Sequence, residues 1–123
     1  MATLTPTLTL SSSDMNGDTL NLSVTDSLSI LGQVTTKQVV SSTTSTRFAA
    51  AANYTKSYVY IKNLSTTAAE TISIEEVAVD ATCDYIGAGE FAFFPWASTV
   101  DLAVDAAQGT PTLEVRIYQE AAA

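Results

Sequence analysis

Hydrophobic and polar residues trade places at every second position over long stretches of this chain. Thr3–Leu10 reads Thr-Leu-Thr-Pro-Thr-Leu-Thr-Leu, and Asp18–Thr25 puts Leu20, Leu22 and Val24 on one side. Such alternation is the signature of a strand with one buried and one wet face. Pro6 cannot donate a ladder hydrogen bond, so Thr3–Leu10 reads as an edge strand or an extended arm. Ser11–Gly17 is a loop, with Asn16-Gly17 a strong turn signal. Ser27–Leu31 is short, Gly32 breaks it, and Gln33–Val40 is expected to pair back through Gly32-Gln33. Ser41–Thr46 is a polar Ser/Thr run that reads as a loop or an exposed strand. Arg47–Asn53, with four alanines in a row, is the one stretch with helix propensity, and it is too short for more than a turn.

The second half alternates more clearly. Ser57–Leu64 sets Tyr58, Tyr60 and Lys62 against Val59, Ile61 and Asn63. Thr71–Val79 shifts phase at Glu75-Glu76, as a β-bulge does. Cys83–Ile86 and Glu90–Phe94 flank Gly87-Ala88-Gly89, a hairpin signal, and Pro95 is expected to stop the strand. Thr99–Val104 and Thr112–Tyr118 alternate on either side of Gln108-Gly109. Roughly eight to ten short strands with short connections predict an all-β, antiparallel two-sheet sandwich, jelly-roll-like or another Greek key. Residues 1–123 are expected to form one domain, with 1–10 a possible arm.

Composition narrows the function. The chain has no histidine, one cysteine and five basic residues, with a net charge of −8. About a quarter of it is Ser and Thr, which suit pleated surfaces. The acidic balance disfavours phosphate backbones and anionic membranes as partners and favours solubility. Cys83 is alone, so no intrachain disulfide forms, and no imidazole exists to activate it. No leader pattern or membrane-spanning run is seen, so synthesis in a cytoplasm is expected.

No set of residues spells out chemistry. Asp14-Met15-Asn16-Gly17-Asp18 opens like a calcium loop, but glycine falls at the fourth place and Thr25 stands where a bidentate Glu belongs. Glu75, Glu76, Asp80 and Asp84 form an acidic cluster, yet adjacent strand residues point to opposite faces and cannot make a carboxylate pair. Gly87-Ala88-Gly89 lacks the rest of a phosphate loop. Sequons at Asn21, Asn53 and Asn63 are expected by chance in so Ser/Thr-rich a chain. No catalytic residue, metal or cofactor is therefore expected. Aromatics gather at Tyr54, Tyr58, Tyr60 and Phe91–Trp96. Phe91 and Phe93 are expected to enter the core, with Phe91→Ala costing about 3–5 kcal/mol. Phe94 and Trp96 then point elsewhere, where they either cap the sandwich end of this same subunit or, exposed, favour subunit interfaces or stack on sugars.

Tyr58-Val59-Tyr60-Ile61-Lys62-Asn63-Leu64, Thr71-Ile72-Ser73-Ile74, the run from Ile86 to Trp96 and Leu113-Glu114-Val115-Arg116-Ile117-Tyr118 occur in that order. This order resembles the small β-sandwich virion proteins of tailed bacteriophages, among them head-decoration or cement proteins. The likeness runs from about Tyr54 to Tyr118. It implies a non-enzymatic protein on the capsid surface, a homotrimer that clamps subunits of the major capsid protein. It also implies an N-terminal arm, for which Thr3–Leu10 is the candidate. The expected interface residues are Leu4, Pro6, Leu8, Tyr58, Tyr60, Phe94 and Trp96. A tail, neck or fibre component is the neighbouring alternative. A carbohydrate-binding module using Trp96 and the tyrosines is a more distant one.

Overall fold

The computed structural model describes residues 2–15, 18–77 and 81–121. Through them run β1 (Ala2–Leu4), β2 (Thr7–Met15), β3 (Asp18–Thr25), β4 (Leu28–Val40), β5 (Thr46–Ala49) and β6 (Ser57–Asn63). They continue as β7 (Ile72–Glu76), β8 (Ala81–Ile86), β9 (Phe91–Trp96), β10 (Leu102–Ala106) and β11 (Thr112–Glu120). A 3-10 turn at Ala51–Asn53 is the sole helical element among the described residues.

The strands form a five-stranded sheet in the order β1-β4-β11-β6-β9, a four-stranded sheet in the order β5-β10-β7-β8, and the separate hairpin β2–β3. Every pairing is antiparallel. The pairs β7·β8, β6·β9, β5·β10 and β4·β11 are nested, so the chain folds as one long ribbon doubled at β7–β8. The contacts β11·β6 and β10·β7 wrap that ribbon into two facing sheets. This is the jelly-roll arrangement.

Between the sheets, alternate residues of both meet. Val59 and Ile61 of β6 and Leu113, Val115 and Ile117 of β11 pack with Ile72, Ile74, Leu102 and Val104 from the opposite layer. All of these are buried, and fully burying such a side chain contributes about 1.5–3 kcal/mol. Trp96 closes one end of the core, with Tyr54 tilted against it at 5.7 Å and its indole N–H donating to the Val100 carbonyl at 3.0 Å.

Several local expectations are corrected. Thr3–Leu10 is not one strand: Pro6 sits at the joint between β1, which pairs with β4, and β2, which pairs with β3. Gly32 does not break the chain into a hairpin. β11 runs past both halves of β4, pairing Tyr118 with Val34 and Glu120 with Ile30, so the extra residues are absorbed as an irregularity. The alanine run divides between a strand and a 3-10 turn, because β10 offers Thr46–Ala49 a partner. Gly87-Ala88-Gly89 does not make a hairpin either. β8 belongs to the four-stranded sheet and β9 to the five-stranded one, so the turn crosses between layers. Gly89 supplies the φ of 79° that this crossing uses. Pro95 lies inside β9, an edge strand that tolerates a missing donor. The register does shift beside Glu75, but the extra residue, Cys83, is on β8.

Candidate functional site

Each sheet has an inner face in the core and an outer face, and the two outer faces differ. The four-stranded sheet turns Ser73, Glu75 and Asp105 outward, with Glu75 accepting from the Ser45 hydroxyl at 3.2 Å. The five-stranded sheet turns out an aromatic ladder. Direct pairing places Tyr60 beside Phe93 and Tyr58 beside Pro95, while β11 adds Glu114, Arg116 and Tyr118 on the same side. Tyr58 stacks on Phe93 at 6.3 Å with the rings 14° apart, and Tyr60 meets Phe91 at 6.3 Å. Such ring pairs contribute about 0.5–1.5 kcal/mol beyond their area.

Charges frame this ladder. The Tyr58 hydroxyl donates to Glu120 Oε1 at 3.1 Å, and Lys56 Nζ reaches the same oxygen at 3.2 Å. The Lys56 ammonium also lies 5.4 Å from the centre of the Tyr58 ring. Glu120, and then Tyr58, hold the Lys56 ammonium above its ordinary pKa. Further along, Arg116 Nε contacts Glu114 Oε1 at 3.1 Å. The Tyr118 hydroxyl, and then the Glu114 carboxylate, raise the Arg116 guanidinium pKa in the same way.

The foot of the β2–β3 hairpin stands over this face. Between Leu4, Pro6, Leu8 and Val24 on one side and Tyr60, Phe91, Phe93 and Tyr118 on the other lies an open groove of about 700 Å³. Of the expected interface residues, Leu4, Pro6, Leu8 and Tyr60 therefore come together, with Tyr58 one ring further along. Trp96 and Phe94 do not. Trp96 is 5% exposed and Phe94 packs against the core, so both lie on the inner face. Phe91 and Phe93 are the outward residues of β9, at 64% and 40% exposure, the reverse of the expected phase. The reason is the core: β9 pairs in register with β6, whose Val59 and Ile61 face inward, and this fixes Ala92 and Phe94 on that side.

Val24, Tyr118 and Arg116 also line the groove without having been singled out from the sequence. The signal for Val24 was present, since Leu22 and Val24 repeat the alternation of Leu8 and Leu10.

The remaining candidates settle as structure. Asn63 is fully buried. Its amide donates to the carbonyls of Glu70 at 2.8 Å and Ile86 at 3.4 Å, and its oxygen accepts from the Ser65 N–H at 3.0 Å. It ties the end of β6 to the following loop and to β8, and its sequon is sealed from any enzyme. The Asn16-Gly17 turn and Asp80 lie outside the described residues, as do the side chains of Asp14, Asp18, Cys83 and Asp84. Among the described residues, no three His, Cys, Asp or Glu gather to hold a metal. No helix among the described residues is long and apolar enough to cross a membrane. The arrangement is suited to covering apolar surface and steering charge. No protein-family model, curated protein or solved structure matches this chain.

Proposed function

We propose that this chain is a non-catalytic structural protein of a virion, a decoration or cement protein that binds the major capsid protein and stabilises a tailed-phage head, as a homotrimer. One observation carries the reading. Six of the twelve large apolar residues exposed among the described ones, Leu8, Leu10, Leu22, Val24, Phe91 and Phe93, lie on the hairpin and on the sheet face behind it. Extended patches of this kind mark protein–protein contact. A jelly roll of antiparallel sheets packed face to face also suits a structural role, and viral capsid domains use the same architecture. Many weak equivalent contacts on a shell add up through avidity. A sugar-binding module would use Trp96 and the tyrosines as stacking platforms; Trp96 is buried, which leaves only the tyrosine side of that reading.

Electron microscopy of purified particles carrying this protein tests the reading. Density at symmetric positions on the outer shell of the head is the expected result. Density confined to the tail, or no association with particles, overturns it.

A further inference from the structure

Glu76 ends an apolar row with a carboxylate. Along β7, Ile72, Ile74 and Glu76 lie opposite Ala106, Val104 and Leu102 of β10. The five apolar members of that row are buried between the sheets, and alternation puts Glu76 on the same inner side. Its neighbour Glu75 takes the outer side, where it meets the Ser45 hydroxyl. At the end of the row a cavity of about 330 Å³ opens between the layers. Ile74, Glu76 and Leu102 line it from the four-stranded sheet, and Phe94, Pro95 and Trp96 line it from β9. The indole wall is held in place by its bond to the Val100 carbonyl and by Tyr54 against it. Glu76 is the one charged group among the described lining residues.

The chain brings no cation to this carboxylate. No Lys or Arg occurs between Lys62 and Arg116, and β7, β8, β9 and β10 all fall within that stretch. The five cations are placed elsewhere. Lys37 donates to the Phe48 carbonyl at 2.7 Å, and Arg47 pairs with Asp101 at 3.1 Å. Lys56 pairs with Glu120 and Arg116 with Glu114. Lys62 lies opposite Phe91 and Glu114 on the far side of the five-stranded sheet. Glu76 itself makes no ion pair among the described residues. A charge on an apolar inner face is costly without a partner, so the cavity favours a positive occupant. Calcium or magnesium would want about six to eight oxygen ligands, against one carboxylate among hydrocarbon walls. An organic cation fits better. Its head takes charge-assisted hydrogen bonds from its N–H groups to Glu76, aromatic walls attract it further, and its stem covers Ile74 and Leu102.

We infer that this cavity binds an organic cation, a guanidinium or ammonium head on a short apolar stem, with Glu76 as its counter-ion. The volume is at the small end of ligand pockets, which run to about 300–1,000 Å³, and matches one such stem and head. Two sources carry that chemistry: a free small molecule, and an Arg or Lys side chain of another protein. The inference goes beyond the structural role proposed above and does not rest on it.

Trp96 is the single tryptophan of the chain, so its fluorescence reads occupancy of the cavity. Titration of n-butylguanidinium chloride into the full chain at constant ionic strength is expected to change that emission saturably, and 1-butanol is expected not to. Glu76→Gln keeps the shape and removes the charge. It is expected to weaken binding about tenfold or more without moving the melting curve. Glu75→Gln removes an equal charge from the outer side and is expected to leave binding unchanged. Amide and indole NMR shifts of the wild-type chain locate the site independently of any variant, and are expected at Ile74, Glu76, Trp96 and Leu102. A short peptide with one arginine and no other charge separates the sources. Binding tighter than that of butylguanidinium assigns the cavity to a protein side chain, and weaker or absent binding assigns it to a free cation. The inference is overturned by an emission that never saturates, by an equal response to butanol, by equal losses in the two Gln variants, or by NMR shifts away from the cavity.

Discussion

The jelly roll and the hairpin ahead of it are written in the same code and end in different states. Leu113, Val115 and Ile117 occupy every second place on β11 and are sealed between two sheets. Leu8 and Leu10, with Leu22 and Val24 across from them, occupy every second place too, and remain half in water. Alternation fixes which side chains share a face. Whether that face is covered depends on a second layer, and the hairpin is one layer with no facing sheet of its own. The body therefore carries the chain's stability, and the hairpin carries apolar surface left for another molecule.

Substitutions measure how sharp this division is. Trp96→Ala, which removes the plug of the core and its bond to Val100, is expected to cost about 3–5 kcal/mol in urea unfolding. Phe91→Ala, only five positions from it and on the same strand's outer side, is expected to cost the isolated chain less than about 1 kcal/mol. Equal losses would erase the distinction between covered and uncovered faces. Next comes Asn63→Ala, which strips the Glu70 carbonyl and the Ser65 N–H of their partner. An unsatisfied buried group costs about 1–3 kcal/mol, and the same denaturation experiment reads it. The smallest effect is that of Lys56. Its pKa is raised in the folded chain by Glu120 and Tyr58. Its contribution is thus complete below the ordinary value of 10.5 and fades as pH climbs through the higher folded value. Melting curves of wild type and Lys56→Met are expected to differ slightly at neutral pH and to converge in strong alkali.

Where one face alone was apolar, the sequence was readable. Ser57–Asn63 and Thr112–Tyr118 alternate unambiguously, and their strands and faces are as expected. Phe91-Ala92-Phe93-Phe94-Pro95-Trp96 is apolar on both sides, so its period carries no phase, and only pairing with β6 decides it. The groove inherits that ambiguity: Leu4, Pro6, Leu8 and Tyr60 were named together and do line it, while Phe91 and Phe93 were assigned inward and Trp96 was left between capping the sandwich and facing outward. Gly87-Ala88-Gly89 was read correctly as a turn but wrongly as a hairpin, and Gly32-Gln33 is no turn but lies inside β4. A nested ribbon sends neighbouring strands such as β8 and β9 to different sheets, and no local residue records that. The role of Asn63 was invisible for a similar reason, since its partners arrive from Glu70 and Ile86.

β11 is the latest strand along the chain, and it lies in the middle of its sheet, between β4 and β6. During synthesis both neighbours must wait with bare backbone edges until it emerges. The nascent polypeptide thus passes through a stage with two unpaired templates for stray strands. Completion comes as a keystone dropping into an arch, and a ribosome stalled before Thr112 would release a sheet split down its centre rather than one trimmed at its margin.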